Sequence, residues 1–565
     1  MSKSALLLSD VDHGVASVTA DLDTRCGELY ASGDEVLPAG QGDAGVATEP
    51  VRVGGRSPGG AAVAAGFASG REQFASLVSF LDRTDAAGLS HSELEDRLDR
   101  DGRELLRRLL DDHLALRAIR EQRLDQVVGD QGVARGRVEA GHARVLETVF
   151  GCVSVERLAY RAAALGNLHP ADAALNLPVE RHSHGMRKLA ALERTRGSFQ
   201  DAVDAIERQT GQRLGKRQVE ELATLAAIDF EDFYEARRPP RGKTDDLLVL
   251  SADRKGIVMR PDALRTGTAT RARAGPKPKA QLSRGEKLDH KRMAEIGAVY
   301  DATPAPRTPA DILASQAPEG HEPAPGPVAT HKWLTASVLK APAAVIKRVF
   351  EEAERRDPRH RRRWVALVDG ANHQIQRINF EAKVRSVKVT IIVDFVHVLQ
   401  YLWKAAGCFY PDSDPAATEE WVHRQATTVL EGHATKVAGT IRRTATNAGL
   451  DPTRRQPADE AAAYLTNKAP YLDYPTALKH GWPIATGIIE GACRHLVKDR
   501  MDITGARWGL AGAEAILKLR ALKANGDFED YWHYHLTQER HHVHQARYHN
   551  NVVPNGHMIS HPQVT

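Results

Sequence analysis

Residues 364–397, WVALVDGANHQIQRINFEAKVRSVKVTIIVDFVH, decide the fold. The run WVALVD is short, apolar and β-branched, and it stops at Asp369. VKVTIIVD repeats the pattern and stops at Asp394, with His397 three residues on. Length and composition read as two buried strands, and the polar-apolar stretch from about 373 to 385 reads as a helix between them. An acid at the end of a buried strand stands where active-site residues emerge from a central sheet. Here there are two, and both stay open as candidates.

Upstream, LLVLSAD at 247–253 has the same form and ends in Asp253, followed by Arg254, Lys255 and Gly256. Two further strands are expected at 296–300 and 333–338. An amphipathic helix follows, with Pro342 near its start and Val345, Ile346, Val349, Phe350 and Ala353 on its apolar face. Between the first two strands runs a basic stretch that includes Arg271, Arg273, Lys277 and Lys279, with almost no acids to neutralise it. That is the composition of a phosphate-contacting loop as well as of a solvated one.

Downstream, helices are expected at 419–430, 434–447 and 458–467 within an insertion spanning 404–482. Residues 484–508, IATGIIEGACRHLVKDRMDITGARW, then return to the core. Steps of four predict Glu490, Arg494 and Lys498 on one helix face, an acid beside two cations. Such a group suits a metal ligand next to a phosphate backbone and equally an ordinary run of intrahelical ion pairs. Trp508 fits either a core position or a platform for a base.

The N-terminal half has a different character. Residues 1–70 are rich in Gly and Ala without periodicity and read as disordered. From 71 to 134 the three-and-four spacing of Phe74, Leu77, Val78, Leu81, Leu94, Leu98, Leu105 and Leu109 predicts a helical hairpin or short coiled coil. The segment 135–240 begins with a β-hairpin about Gly151. It continues with a helix-turn-helix pattern in which Ala202, Ala205, Ile206, Val219, Leu222 and Ala223 face the core. Arg213, Lys216 and Arg217 would stand at the entrance of the second helix, where such a motif meets DNA. The His-rich residues 526–565 read as an exposed helix fading into disorder.

Bulk properties exclude little. At 565 residues, 42% hydrophobic and 27% charged, the chain is an ordinary globular protein of several domains. A net charge of +4 is too small to imply nucleic-acid binding by itself. Four scattered cysteines without a CxxC pair suit a reducing cytoplasm, and no apolar run reaches membrane-spanning length.

Taken in order, LSADRKGIVMRPDALR, LSRGEKLDHKRMAEIGAVYDATPAPRTPADIL, VALVDGANHQIQRI, VDFVHVLQYLWKAA, YLTNKAPYLDYPTAL and WPIATGIIEGACRHLVKDRMDITGARW resemble the ISKra family of bacterial insertion-sequence transposases, over roughly residues 140–545. The resemblance implies a mixed α/β fold, with a ribonuclease-H-like catalytic core at 244–403 and 483–525. The all-helical insertion interrupts this core, and a mainly helical DNA-binding region precedes it. It implies a DDE transposase in which Asp253, Asp369 and Glu490 hold two Mg2+ or Mn2+ ions. The enzyme would cut transposon-end DNA with water and join the freed 3′-hydroxyl to target DNA. Arg494 and Lys498 would contact phosphate, and the protein would work in the bacterial cytoplasm, on the nucleoid, as a dimer or larger assembly. The DxxH of Asp394 and His397 also resembles a signature of Mutator-like and hAT transposases, there lying between the second acid and the glutamate. This leaves Asp394 and His397 as accessory residues, or Asp394 as the second acid itself. Arg254 departs from relatives, which often carry glycine after the first acid. A structure-specific nuclease of the same fold and a DNA-binding protein without catalysis are the competing expectations.

Overall fold

The computed structural model describes residues 66–240, 242–274, 290–313, 320–410, 414–502 and 505–554, excluding the side chains of 271–274. Most of the segment expected to be disordered, 1–65, lies outside these residues. The chain divides into two compact units, one of Met1–Gln122 with Val153–Glu156 and one of Arg123–Cys152 with Arg157–Thr565.

The first unit is built on two helices, α1 (Ala68–Leu81) and α2 (His91–Arg120). Ser90 starts α2 with a capping box, its hydroxyl accepting from the Glu93 amide while Glu93 accepts from the Ser90 amide. The Gly70 amide donates to Asp112 at 2.8 Å, tying α1 to α2. The helical hairpin read from the sequence is present. Its apolar repeat is not all internal, because Phe74, Val78, Leu81 and Leu98 are exposed.

Strands β1 (Arg137–Thr148) and β2 (Gly151–Arg161) form a two-stranded sheet that belongs to the second unit except for Val153–Glu156. Helices α3 (His184–Arg196), α4 (Phe199–Thr210) and α5 (Lys216–Leu225) then enclose a small core of Met186, Ala190, Ala202, Val203, Ile206, Leu214, Val219 and Leu222. Gly211, at φ 68°, takes the left-handed conformation that ends α4 and turns the chain toward α5. All six residues expected to face the core of the helix-turn-helix pattern are buried.

The central sheet contains β3 (Leu247–Val258), β4 (Lys291–Ala302), β5 (Ala329–Ser337), β6 (Trp364–Val368) and β7 (Val389–Val393), in the order β5-β4-β3-β6-β7. β3, β4 and β5 are antiparallel, while β3–β6 and β6–β7 are parallel. The parallel strands need crossovers, which α6 (Pro342–Arg356) and α7 (Asn372–Val384) provide. β6 is buried at every position, as its unbroken apolar sequence requires.

The insertion follows as α8 (Phe395–Phe409), α9 (Pro415–Leu430), α10 (Ala434–Asn447) and α11 (Pro452–Lys468). Buried alanines such as Ala405, Ala426, Ala438 and Ala461 let these helices approach closely. The chain returns through α12 (Gly487–Ala492), a π-helical segment Cys493–Lys498, α13 (Leu510–Ala524) and α14 (Phe528–Glu539). The whole is a mixed α/β protein with a mainly helical N-terminal region. No described helix is long and apolar enough to cross a membrane.

Three expectations need correction. β3 does not stop at Asp253 but runs on to Val258, because β4 continues to pair with it as far as Val258↔Lys291. The regular helix expected through Glu490, Arg494 and Lys498 gives way to a π segment from Cys493 to Lys498, whose hydrogen bonds span five residues, while all three side chains stay exposed. The His-rich end is not simply an exposed helix. His535 and His544 are buried, and His535 bonds Asp229 at 2.6 Å and faces Arg187 and Glu539.

Close packing of α6 on β4 gives a stability test. A Cβ at Gly297 would come 2.4 Å from Val349 Cγ2 and 3.3 Å from Thr335 Cγ2. Gly297→Ala is expected to lower unfolding stability by about 1–3 kcal/mol through overpacking. Gly439→Ala, in the middle of α10 with open space around it, is expected to raise it by about 1 kcal/mol. Urea denaturation of the two variants reads both signs.

Candidate metal centre

The parallel register sets the site. Ser251 pairs with Leu367, and Val368 pairs with Val393. Counting on from those pairs, Asp253 and Asp369 are both two residues further, and Asp369 and Asp394 are both the next residue. The three aspartates therefore stand abreast, Asp253 within β3 and Asp369 and Asp394 just past the carboxyl ends of β6 and β7, with main chains about 4.8 Å apart per strand step. Asp369 is in the middle.

Each carboxylate is anchored differently. Asp253 Oδ1 accepts from the Arg254 amide at 2.6 Å, and its Oδ2 accepts from the Cys493 thiol at 3.2 Å. Asp369 Oδ1 accepts from the Ala371 amide at 2.8 Å, and the Tyr464 hydroxyl donates to its main-chain carbonyl at 3.0 Å. Gly370 makes that turn at φ 91°, a conformation that favours glycine. Asp394 is 0% exposed and caps α8. Its Oδ1 accepts from the Val396 amide at 2.9 Å, while Oδ2 receives the Thr486 hydroxyl and faces His397 Nδ1 at 3.2 Å.

Glu490 reaches this row from α12. Thr486, one helical turn before it at the start of α12, lies 3.3 Å from Glu490 Oε1 while its hydroxyl bonds Asp394. The ligand atoms of Asp394, His397 and Glu490 all fall within 4.8 Å of one another. This group could hold a metal ion. Two carboxylates and an imidazole suit a divalent cation.

Electrostatics tie the remaining acids to this group. The Asp394 hydrogen bond raises the His397 pKa above its ordinary value, with the charges of Asp394, Asp369 and Glu490 adding to it against burial. Burial raises Glu490, and the charges of Asp394 and Asp253 push the same way. Behind Asp253, Glu295 on β4 pairs across from Arg254 and is buried. Burial lifts its carboxyl to about 7, with Arg254 and Arg265 opposing and Asp253 adding.

The other residues singled out from the sequence are dispersed. Arg494 and Lys498 are exposed, Arg494 lying 3.6 Å from Asp499. Arg213, Lys216 and Arg217 are exposed at the α4–α5 corner, where Arg217 pairs with Glu221 at 2.9 Å. The backbone of Thr266–Ala274 is helical; the side chains of Arg271 and Arg273, and all of Lys277 and Lys279, lie outside the described residues. Trp508 is buried, donates to the Met501 carbonyl at 3.1 Å and carries Arg500 over its ring, so it belongs to the core.

Sequence reading passed over Thr486, Cys493, Glu295, Tyr464 and Lys468. Only Thr486 had a local signal, a hydroxyl at a helix start. The others act across long sequence separations. No family model matches the chain, and no curated protein matches it.

Two outcomes are expected. Mn2+ titration by calorimetry should show His397→Ala and Glu490→Gln each binding more weakly than wild type. Glu295 supplies the pH dependence. Its raised carboxyl costs nothing below the ordinary carboxylate pKa and an increasing penalty as pH climbs through about 7. Relative to Glu295→Gln, the metal-free wild type should lose up to roughly 3 kcal/mol of stability over that window.

Proposed function

We propose that the chain is a metal-dependent DNA strand-cleaving and joining enzyme, a DDE transposase of an insertion sequence resembling the ISKra family. One observation carries the reading: three aspartates abreast on adjacent parallel strands, with Glu490 delivered beside them from the C-terminal helices. Support for a ribonuclease-H-like core comes from three antiparallel strands followed by two parallel ones, each reached through a helix. The oxygen-rich donor set suits hard cations such as Mg2+ or Mn2+.

Asp253, Asp369 and Glu490 would hold two such ions. Asp394 then serves as a positioning residue. Its oxygens already accept from Val396, Thr486 and His397, whereas Asp369 keeps Oδ2 free of any hydrogen bond among the described residues. When bound, divalent ions supply an activated water or 3′-hydroxyl and neutralise charge on the leaving oxygen. The chain's own residues fix the geometry. Arg254 and Cys493 hold the two oxygens of Asp253, and Tyr464 holds the Asp369 turn. Thr486 holds Asp394 next to Glu490. His397 faces Asp394 Oδ2 at 3.2 Å and helps to hold that carboxylate in place. Exposed Arg213, Lys216 and Arg217 at the α4–α5 corner would meet transposon-end DNA, and Arg494 and Lys498 the phosphates near the site. Joining two ends calls for a dimer or larger assembly.

A gel assay tests this reading on a duplex carrying the terminal inverted repeats that flank the coding sequence. With Mg2+ or Mn2+, wild type is expected to nick and join ends. Asp253→Asn, Asp369→Asn and Glu490→Gln are expected to fall to background. If Asp369→Asn cuts like wild type while Asp394→Asn does not, the second acid is Asp394. If wild type binds the ends and never nicks them, the protein is a DNA-binding protein and the enzyme reading fails.

A further inference from the structure

Lys468, the last residue of α11, is only 7% exposed. A buried ammonium ordinarily faces a carboxylate, because desolvating a charge without a counter-ion is costly. Lys468 does not. It donates to the neutral side-chain oxygen of Asn372, and among the described residues no Asp or Glu oxygen stands at ion-pair distance from it. An ammonium has three donors, and this contact uses one.

Its surroundings point toward the acids. Asn372 opens α7, two residues past Gly370, on the turn that carries Asp369. Burial lowers the Lys468 pKa, and the Asp369 charge is what opposes it. The same helix α11 fixes that turn through Tyr464, whose hydroxyl would lie 2.9 Å from a Cβ at Gly370. Arg254 bears on the same place, its charge lowering the pKa of His373 after burial does. A second tyrosine just beyond α11, Tyr474, donates to the Val393 carbonyl at 2.8 Å, immediately before Asp394. The helical insertion is thus built into the ends of β6 and β7, and it brings a cation lacking a counter-ion with it.

We propose that Lys468 binds a non-bridging phosphate oxygen of the DNA strand that the aspartate row cleaves, so that the insertion completes the substrate site. This rests on the DNA-cleaving reading above. An ammonium acts on phosphate as a compact point charge, and each such contact formed releases condensed counter-ions and adds about 0.9 to the magnitude of the log–log salt slope of affinity.

The test uses the full chain and a short fluorescent duplex in Ca2+, followed by anisotropy across a range of salt. Lys468→Ala is expected to bind several-fold more weakly at low salt, with a log–log salt slope smaller by about 1. Lys468→Arg should keep the wild-type slope. Mn2+ affinity and melting temperature should match wild type in both, which a merely structural lysine would not allow. An unchanged slope and cleavage rate in Lys468→Ala overturns the proposal, as does loss of Mn2+ binding along with DNA binding. Should Lys468→Ala fail to fold, Lys468→Met keeps the aliphatic stem and is read by the same criteria. If wild type itself neither binds nor nicks DNA, the DNA reading fails and takes this proposal with it. A failure confined to the variant comparison overturns the lysine alone.

Discussion

Parallel pairing of β3, β6 and β7 forces like charges together. Side chains at one register level of a parallel sheet stand side by side, and here that level holds Asp253, Asp369 and Asp394. Like charges on adjacent strands, whose main chains are about 4.8 Å apart, repel one another. A fold meant only to be stable would spend nothing on such a row. Much of what surrounds it lowers that repulsion: the Arg254 and Ala371 amides, the Val396 amide at the start of α8, the Thr486 hydroxyl and the His397 ring.

The elements far from the sheet in sequence are placed by the same need. Glu490 comes from α12, Cys493 from the π segment, and Tyr464 and Tyr474 from the insertion and its exit. Cys493 bonds Asp253 within β3, Tyr464 and Tyr474 bond carbonyls at the ends of β6 and β7, and Glu490 meets the Thr486 hydroxyl that also bonds Asp394. The insertion is therefore not an appendage. Its alanine-lined helices share one continuous buried cluster with the sheet, and its tyrosines bond the two strand ends that lead into acids.

The strands, their order and their terminal acids were legible because a buried strand leaves an unmistakable local mark. WVALV has no room for a polar residue, so its end is visible as Asp369. Helices 434–447 and 419–430 were legible for the same local reason. What escaped was set by distant partners. Asp253 looked terminal because the polar run Arg254–Gly256 resembles a turn, yet β4 supplies partners for five more residues. His535 looked solvated because Asp229, which bonds it, is some three hundred residues away. The π segment left no trace in a pattern search built on regular helical steps.

That segment has a consequence for how the protein tolerates change. Relative to an α-helix, a wide turn accommodates an extra residue, and each residue of helix corresponds to about 100° of rotation. The segment therefore works as a phase adjuster between two docked faces, Glu490 aimed at the acids on one side and Arg500 seated on Trp508 on the other. Side-chain exchanges on its exposed flank leave the phase alone. Loss of one residue would let the segment relax to regular geometry with the two faces still aligned, whereas a further residue that the turn did not absorb would rotate one face by about 100° against the other. In this stretch an extra residue is taken up as width rather than passed on as rotation.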